Sequence, residues 1–528
     1  MMDDQIMEQT IATDVIIVGG GLGGLSLALQ LIESDPTLKI AIVEKNVFPV
    51  PDTTAKVGES SVEIGAHYFS EVLGLKSHFE TRHLRKHGLR CFFGENIVDM
   101  SDYDELGVSE LFGIPTYQIE RGVLENHMHS LLIKSGVACI DGAEILQVNI
   151  GRNDHSIVCQ SDGRRTKIQG RWVVDAAGRR SLLKTYLGLA KSSDHSGHAV
   201  FFRVDKTISI DDWSGDHAWR ARIKDPSTRW LSTNHLMGPG YWIWIIPLGS
   251  GATSFGIVMD DEAFTESGIE TFEDTIDWIR PRHPLCAEAI QDANLLDFKF
   301  VNNYSYACGQ VFSHEGWGLI GEAGVFADPF YSPGSDFIAI GNTFLTELIV
   351  SENCGKDITI QSLVYQKIFD SFFNNTLSIY RSQYGGFGDR EMMSLKLVWD
   401  YTYYWGVLSA LFFSGVITDI KAMQKLNPTL MTALRLNNQM QSVFVERAKR
   451  RQVLPAKRKF MDQYLVSGLR EINTMLKDDS FDLDEVLLKA IEKMQVMLPK
   501  FTAILEGEER HGKNLFDSLD DYCASLIA

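Results

Sequence analysis

Asp14-Val15-Ile16-Ile17-Val18-Gly19-Gly20-Gly21-Leu22-Gly23-Gly24-Leu25, continued by Leu27, Ala28, Leu29, Leu31 and Ile32 and then by Lys39-Ile40-Ala41-Ile42-Val43-Glu44, decides the fold. The apolar run 14–18 has no helical period and reads as a strand, the glycines as a turn, and the spaced apolar residues after them as a helix. Residues 39–43 supply a second strand ending at Glu44, which completes a βαβ unit. Gly19, Gly21 and Gly24 take the three glycine positions of a dinucleotide-binding turn. There the backbone approaches a pyrophosphate, and the helix offers its N–H groups and the positive end of its dipole. Glu44, about 20 residues past Gly24, is placed to accept hydrogen bonds from an adenosine ribose. At this point the dinucleotide is NAD or FAD.

Outward from that unit, residues 50–310 alternate short strands with helices. Leu89-Arg90-Cys91-Phe92-Phe93, Trp172-Val173-Val174, His198-Ala199-Val200-Phe201-Phe202-Arg203-Val204 and Ser254-Phe255-Gly256-Ile257-Val258 read as strands, and 62–73 and 122–134 as helices. Beyond about Gly334 the strand signals stop and the pattern is helical. No internal repeat or low-complexity linker divides the chain, so the helical region is expected to pack on the rest. No second Gly-x-Gly-x-x-Gly follows a strand, so no dedicated NAD(P)H domain is expected.

Gly240-Tyr241-Trp242-Ile243-Trp244-Ile245-Ile246-Pro247 reads as one more strand. Side chains alternate faces along a strand, so Trp242 and Trp244 share one face and Ile243 and Ile245 the other. The two indoles form either part of a core or a wall beside something held there.

The chain has 528 residues, 45% of them hydrophobic, enough for two or three domains with a core. Its net charge of −19, from 50 basic and 69 acidic residues, excludes general nucleic-acid binding, which needs a positive surface. Residues 1–5 are acidic and carry no apolar segment of a secretory signal, so a cytoplasmic location is expected. Cys91, Cys139, Cys159, Cys286, Cys308, Cys354 and Cys523 are scattered and odd in number, with no Cys-x-x-Cys pair; this fits reduced thiols, and no metal site is expected. The uncharged segment 401–418 reads as a buried or partner-facing helix, and membrane contact is not expected.

Four further segments occur in a telling order: Gly58-Glu59-Ser60; Gln118-Ile119-Glu120-Arg121 ahead of a helix; Asp175-Ala176-Ala177-Gly178-Arg179 after a strand; and Gly321-Glu322-Ala323 with Asp328-Pro329. Together with the glycine turn they resemble the flavoprotein monooxygenases with a glutathione-reductase-like FAD domain. Trp242, Trp244, Ile246 and Pro247 match the Trp-x-Trp-x-Ile-Pro signature of the flavin-dependent halogenases in that group. The resemblance covers roughly residues 13–350 and is nearest to the tryptophan-halogenase-like branch.

It implies an α/β fold: a glutathione-reductase-like, Rossmann-type FAD-binding domain with an interleaved mixed β-sheet substrate region and a C-terminal helical region. The expected division is 1–350 for the core and 351–528 for the helical region. Within the core, FAD segments fall at about 13–60, 115–190 and 305–345, and the substrate sheet at about 61–114 and 191–304. Gly19, Gly21, Gly24, Glu44, Gly58, Glu59, Arg121, Asp175, Gly321, Glu322 and Asp328 are implied to hold FAD. Glu322 stands where the family has Asp, an acceptor with longer reach.

The implied reaction is FADH2-dependent halogenation of an aromatic or heteroaromatic small molecule, free or carrier-bound. A flavin hydroperoxide takes up halide, and hypohalous acid passes down a tunnel to a lysine. O2 and chloride or bromide are co-substrates, and a separate flavin reductase supplies FADH2. Trp242 and Trp244 would shield the flavin. Lys86 has the family's Lys-x-Gly spacing to Gly88 and is the candidate lysine, with Ser332 supporting it; the alternative is a solvated lysine among Arg82, Arg85 and Arg90.

In Phe330-Tyr331-Ser332-Pro333-Gly334 the chain departs from the family. Tyr331 replaces the Glu of tryptophan-specific members, and Pro333 lacks an N–H that would meet halide, leaving Gly334 as the halide candidate. The alternatives are therefore a flavin-dependent monooxygenase or oxidoreductase without halide chemistry, and a non-catalytic flavin-binding protein. Arg447, Lys449, Arg450, Arg451, Lys457, Arg458 and Lys459 form a basic stretch that reads either as a solvated face or as a dock for an acidic carrier protein or anionic lipid.

Overall fold

Residues 14–44 fold as the glycine turn requires. The computed structural model describes residues 9–53, 56–478 and 480–507; the acidic residues 1–5 and Cys523 lie outside the described residues. Strand Val15–Val18, helix Leu22–Ser34 and strand Ile40–Val43 form the βαβ unit. Its strands join Ala138–Ile140, Trp172–Asp175 and Trp317–Leu319 in a five-stranded parallel sheet, with Val15–Val18 at the centre. Val15 to Val18 are all buried, as expected of a parallel strand covered on both faces. A second sheet of four strands, Gln9–Ala12, Arg164–Gly170, His155–Ser161 and Glu144–Asn149, lies outside it.

The largest sheet has eight strands in the order Leu295–Val301, His198–Val204, Thr253–Met259, Tyr241–Pro247, Thr233–Gly238, Leu89–Phe93, Asp104–Gly107 and Phe460–Asp462. Its two faces feed two cores. Cys91, Phe93, Met237, Trp242 and Trp244 join the main core with the FAD-type sheet and the helices, whereas Phe92, Leu236, Ile243, Ile245 and Phe255 close a second core on the other side.

The residues after Gly334 are mainly helical: Gly334–Asn353, Thr359–Ser378, Arg390–Tyr403, Ile420–Ala448, Ser467–Leu476 and Leu483–Glu506. One element corrects the expectation that strands end there. Phe460–Asp462 pairs in parallel with Asp104–Gly107 and finishes the large sheet. The buried Asp104 carboxylate accepts from the backbone N–H groups of Lys457 and Lys459 and pairs with Arg390 at 3.0 Å. An exposed row of strand-edge groups is thereby covered, a long-range satisfaction that no local hydrophobic pattern announces.

The basic stretch starts at Arg447, buried in the last turn of helix Ile420–Ala448, and from Lys449 runs as a surface strap to this strand. Arg447 pairs with Asp389 at 2.6 Å, Lys449 with Glu446 at 2.5 Å, Arg451 with Asp260 at 2.7 Å and Arg458 with Asp102 at 2.9 Å. Segment 401–418 continues the helix Arg390–Tyr403 through a π turn, Tyr404–Ser409, into Ala410–Phe413, with most of its side chains buried. Among the described residues no helix is long and apolar enough to cross a membrane.

Candidate active site

The nucleotide end is built by close backbone approach. A Cβ on Gly19, whose φ is +109°, would stand 2.4 Å from the Ala176 carbonyl oxygen, and one on Gly24 would stand 2.0 Å from the Gly19 carbonyl oxygen. Glycine is thus required at both, and the Asp175-Ala176-Ala177 segment is pressed against the turn. Gly21, at the N-cap of helix Leu22–Ser34, has open space where a Cβ would lie, so this backbone is approachable from outside. Glu44 is anchored beside it: Oε1 accepts from Asn46 N at 2.8 Å and from Asn46 Nδ2 at 2.6 Å, while Oε2 accepts from Gly20 N at 2.6 Å and keeps a second lone pair. These residues fit the pyrophosphate and ribose of FAD.

The other FAD-type segments are drawn to the same side. Arg121 opens the helix Arg121–Lys134, donates to Val57 O at 2.6 Å and to Glu125 at 2.7 Å, and keeps a buried Nε without a partner. Gly58, at φ +98°, lies against that guanidinium. Gly321 follows strand Trp317–Leu319, and Glu322 pairs with Arg179 at 3.0 Å, joining the third and fourth segments. Three carboxylates are turned to protein groups instead. Glu59 pairs with buried Arg203 at 2.6 Å, Asp175 accepts from Ala177 N and Leu183 N, and Asp328 gathers His195, Tyr304 and Tyr384 on one oxygen at 2.7 to 2.8 Å. What these three do directly is brace the segments that carry them.

Trp242 and Trp244 are almost fully buried, with ring centres 5.7 Å apart. Trp242 Nε1 donates to Tyr384 Oη at 3.1 Å and Trp244 Nε1 to Ser254 Oγ at 3.2 Å. The Trp242 ring also meets Phe330 edge-on at 5.1 Å, which places the panel against the loop carrying Ser332.

Lys86 follows the short strand Leu84–Arg85 and is 2% exposed, so it is not a solvated lysine. Arg82, by contrast, is exposed, and Arg90 is buried against Glu105. Lys86 Nζ donates to Ser60 Oγ and to Ser61 O, both at 2.9 Å. Burial draws its ammonium down to about 8, against the opposing pull of Glu63 and Asp336. Asp336 lies in the first turn of helix Gly334–Asn353, where it accepts from Gly65 N and Tyr404 Oη, both at 2.8 Å; burial raises it to about 8. Burial raises Glu63 as well.

His235 completes the surroundings. It shares the indole face of the sheet, opposite Trp244 and Cys91, with its ring 5.2 Å from Trp242 and 5.3 Å from Phe330. No side chain hydrogen-bonds either ring nitrogen, and burial together with Lys86 holds the imidazole neutral, at about 3, against an opposing pull from the Arg90 backbone.

Ser332 adopts φ +57° and donates its N–H to Pro329 O at 3.0 Å. Tyr331 Oη donates to Asp400 Oδ2 at 2.9 Å, and Pro333 caps the helix. A cavity opens between this loop and the helical region, lined by Tyr331, Asp336, Phe337, Tyr380, Tyr401 and Tyr404 among others. Glu63, His235, Asp336, Tyr384 and Asp400 were not singled out from sequence. The available signal was a lone polar group in an apolar run, as in Asp336-Phe337-Ile338-Ala339-Ile340.

A family model described as "FAD binding domain" matches residues 12–275. The flavin-dependent halogenase chlA of Dictyostelium discoideum is 24% identical over 428 residues, 75% of this chain and 70% of that protein. The 1H-pyrrole-2-carbonyl-(peptidyl-carrier protein) chlorinase of Pseudomonas fluorescens is 26% identical over 346 residues, 61% and 72% of the two chains. Among solved structures, halogenase PltM in complex with phloroglucinol and FAD superposes with a TM-score of 0.65 at 16% identity, covering 94% of this chain and 98% of that one. A flavoprotein/dehydrogenase from Cytophaga hutchinsonii superposes at 0.62 and 19% identity, covering 94% and 100%. With the glycine cradle, the four converging segments and the paired indoles, these likenesses place the chain in the FAD-binding domain family and, within it, in the flavin-dependent halogenase family of oxidoreductases.

Proposed function

We propose that the protein halogenates an electron-rich aromatic or heteroaromatic small molecule, using FADH2 delivered by a separate reductase in the cytoplasm. The observation that carries this reading is the buried, serine-held Lys86, whose charge is felt both by His235 beside the indole panel and by Asp336 in the lining of an aromatic cavity. Reduced FAD, with O2 and chloride or bromide, supplies the electrophilic halogen as neutral hypohalous acid. Gly19, Gly21, Gly24, Glu44, Gly58, Arg121, Gly321 and Glu322 would hold the cofactor, with Glu59, Asp175 and Asp328 bracing its segments. Trp242 and Trp244 keep organic molecules from the flavin. Lys86 donates a hydrogen bond to the oxygen of the oxidant, which makes the halogen more electrophilic, and Ser332 supports that placement. His235, neutral and without a side-chain hydrogen bond, offers a polar stop between the panel and Lys86. By helix geometry the first-turn N–H groups of Gly334 and Ser335 have no intrahelical acceptor, and Gly334 is the donor assigned to halide.

A second reading, monooxygenation without halide chemistry, is favoured by one feature: Pro333 removes a donor from the loop where halide would sit. A third is a non-catalytic flavin-binding protein acting through its helical region. Carrier-bound substrate is a finer option within the first, supported by the carrier-protein chlorinase among the relatives and by exposed Arg450 on the strap. The deciding experiment supplies reductase-generated FADH2, O2 and bromide or chloride with a panel of indoles, phenols and pyrroles. Halogen isotope patterns in the products support the first reading. Hydroxylated products alone move the assignment to the second, and failure to take up flavin moves it to the third.

A further inference from the structure

We propose that the cavity between the 331–333 loop and the helical region binds an uncharged aromatic molecule bearing an O–H or N–H donor, and turns away carboxylate-bearing aromatics, free amino acids among them. The proposal rests on the halogenation reading for what is done to the ligand, and adds which ligand is accepted.

The aromatic half of the argument is the lining. Tyr331, Phe337, Tyr380, Tyr401 and Tyr404 present ring surfaces from both sides of the seam, a setting that suits a flat apolar ring. The selective half is charge. None of the lining residues is Lys, Arg or His, and two, Asp336 and Asp400, carry carboxyl groups.

The two buried ammonium groups of the surrounding elements are already engaged. Lys396 Nζ lies 2.9 Å from Asp400 Oδ2 and donates to Gln441 Oε1 at 3.2 Å. Lys86 is held by Ser60 and Ser61 in the field of Glu63 and Asp336. Asp400 meets Lys396 directly, Glu63 and Asp336 face Lys86, and burial favours the protonated form of both Asp336 and Glu63. A ligand carboxylate would find no cation in the lining and would bring a further charge into the same low-dielectric space.

A donor on the ligand fares better. Each Asp336 oxygen accepts a single hydrogen bond, one from Gly65 N and one from Tyr404 Oη, and acceptor capacity remains for a ring O–H or N–H.

The test is binding, without turnover. FAD-loaded protein, kept oxidised, is titrated by calorimetry with matched pairs: indole against indole-3-acetate and tryptophan, 4-methylphenol against 4-hydroxyphenylacetate. The uncharged member is expected to bind at least ~10-fold tighter than each carboxylate-bearing one. A carboxylate member that binds equally well or better overturns the proposal, as does no binding of any member up to about 1 mM.

Thr376→Trp, which fills the cavity from helix Thr359–Ser378, is expected to weaken binding of the uncharged ligand by about 10-fold or more while leaving the flavin spectrum intact. Unchanged affinity would place the ligand elsewhere and overturn the assignment. Ile379→Trp serves the same purpose if the first variant fails to fold. Protein that binds uncharged aromatics but never halogenates them would sink the halogenation reading and leave this one standing. Halogenation with a preference for carboxylates would do the reverse.

Discussion

Tyr384 Oη lies 2.7 Å from Asp328 Oδ2 and accepts the indole N–H of Trp242 at 3.1 Å. A residue from outside the large sheet thus ties the tryptophan panel to the loop that leads into Ser332, since Asp328 also accepts from Phe330 N at 2.9 Å. Tyr384→Phe keeps the ring but leaves the Trp242 N–H buried without its acceptor. The expected cost is about 1–3 kcal/mol in denaturant unfolding, with a shifted tryptophan emission. An unchanged unfolding midpoint and spectrum would show that the link carries no load.

Lys86→Met keeps the length and burial of the side chain and removes its donor. Halogenated product is expected to fall by about 100-fold or more while FADH2 oxidation keeps its rate. The native enzyme carries a pH signature of the same group. With Lys86 drawn down to about 8, the ammonium is present below that pH and lost above it, so product per flavin oxidised should fall as pH rises through about 8. A yield that stays level well above that point assigns the donor to another group.

Asp336 predicts a stability trend. Its folded value of about 8 lies above its ordinary 3.8, so across that interval the folded protein holds a proton that the unfolded chain has released. By linkage its contribution to stability is present at low pH and is lost as pH rises toward about 8. Asn at this position does not titrate. The melting temperature of Asp336→Asn relative to wild type should therefore climb between about pH 5 and pH 8. A constant offset would show that the carboxyl does not titrate in this way.

His235→Phe replaces a buried imidazole that no side chain hydrogen-bonds with a ring of similar shape. Thermal stability should change by no more than about 1 kcal/mol, because no side-chain hydrogen bond is lost. Product per FADH2 oxidised should drop if the imidazole meets the oxidant on its way to Lys86; equal coupling efficiency removes it from the path.

Asp104→Ala withdraws one carboxylate from buried Arg390 and from two backbone N–H groups of the strap. The cost should reach about 3–5 kcal/mol. Tryptic cleavage within 449–459 should accelerate, and an unchanged digestion pattern would show that the strap is held by other contacts.

The nucleotide half of the molecule was legible in sequence because its constraints are local. Three glycines, a flanking strand and an acid about 20 residues on leave few alternatives, and Gly19 and Gly24 show why nothing larger fits. Alternation alone put Trp242 and Trp244 on one face. Lys86 was named by spacing, but its burial depends on Ser60, Ser61 and Asp336, residues brought to it from two other segments. The neighbours of Lys86 stayed hidden for that reason. Asp336 and His235 look like ordinary polar residues until the helix and sheet that carry them close on one space. Phe460–Asp462 stayed hidden because its strand character comes from the edge it meets, and not from its own three residues.

That late strand also sets an order of events. Asp104–Gly107 cannot be covered until the ribosome has delivered the chain through Asp462, so the sheet carrying both indoles spends most of synthesis with an open edge. Pairing at such long sequence separation is slow and leaves the nascent chain prone to association. Yield of folded protein should therefore respond to translation speed and to chaperone supply.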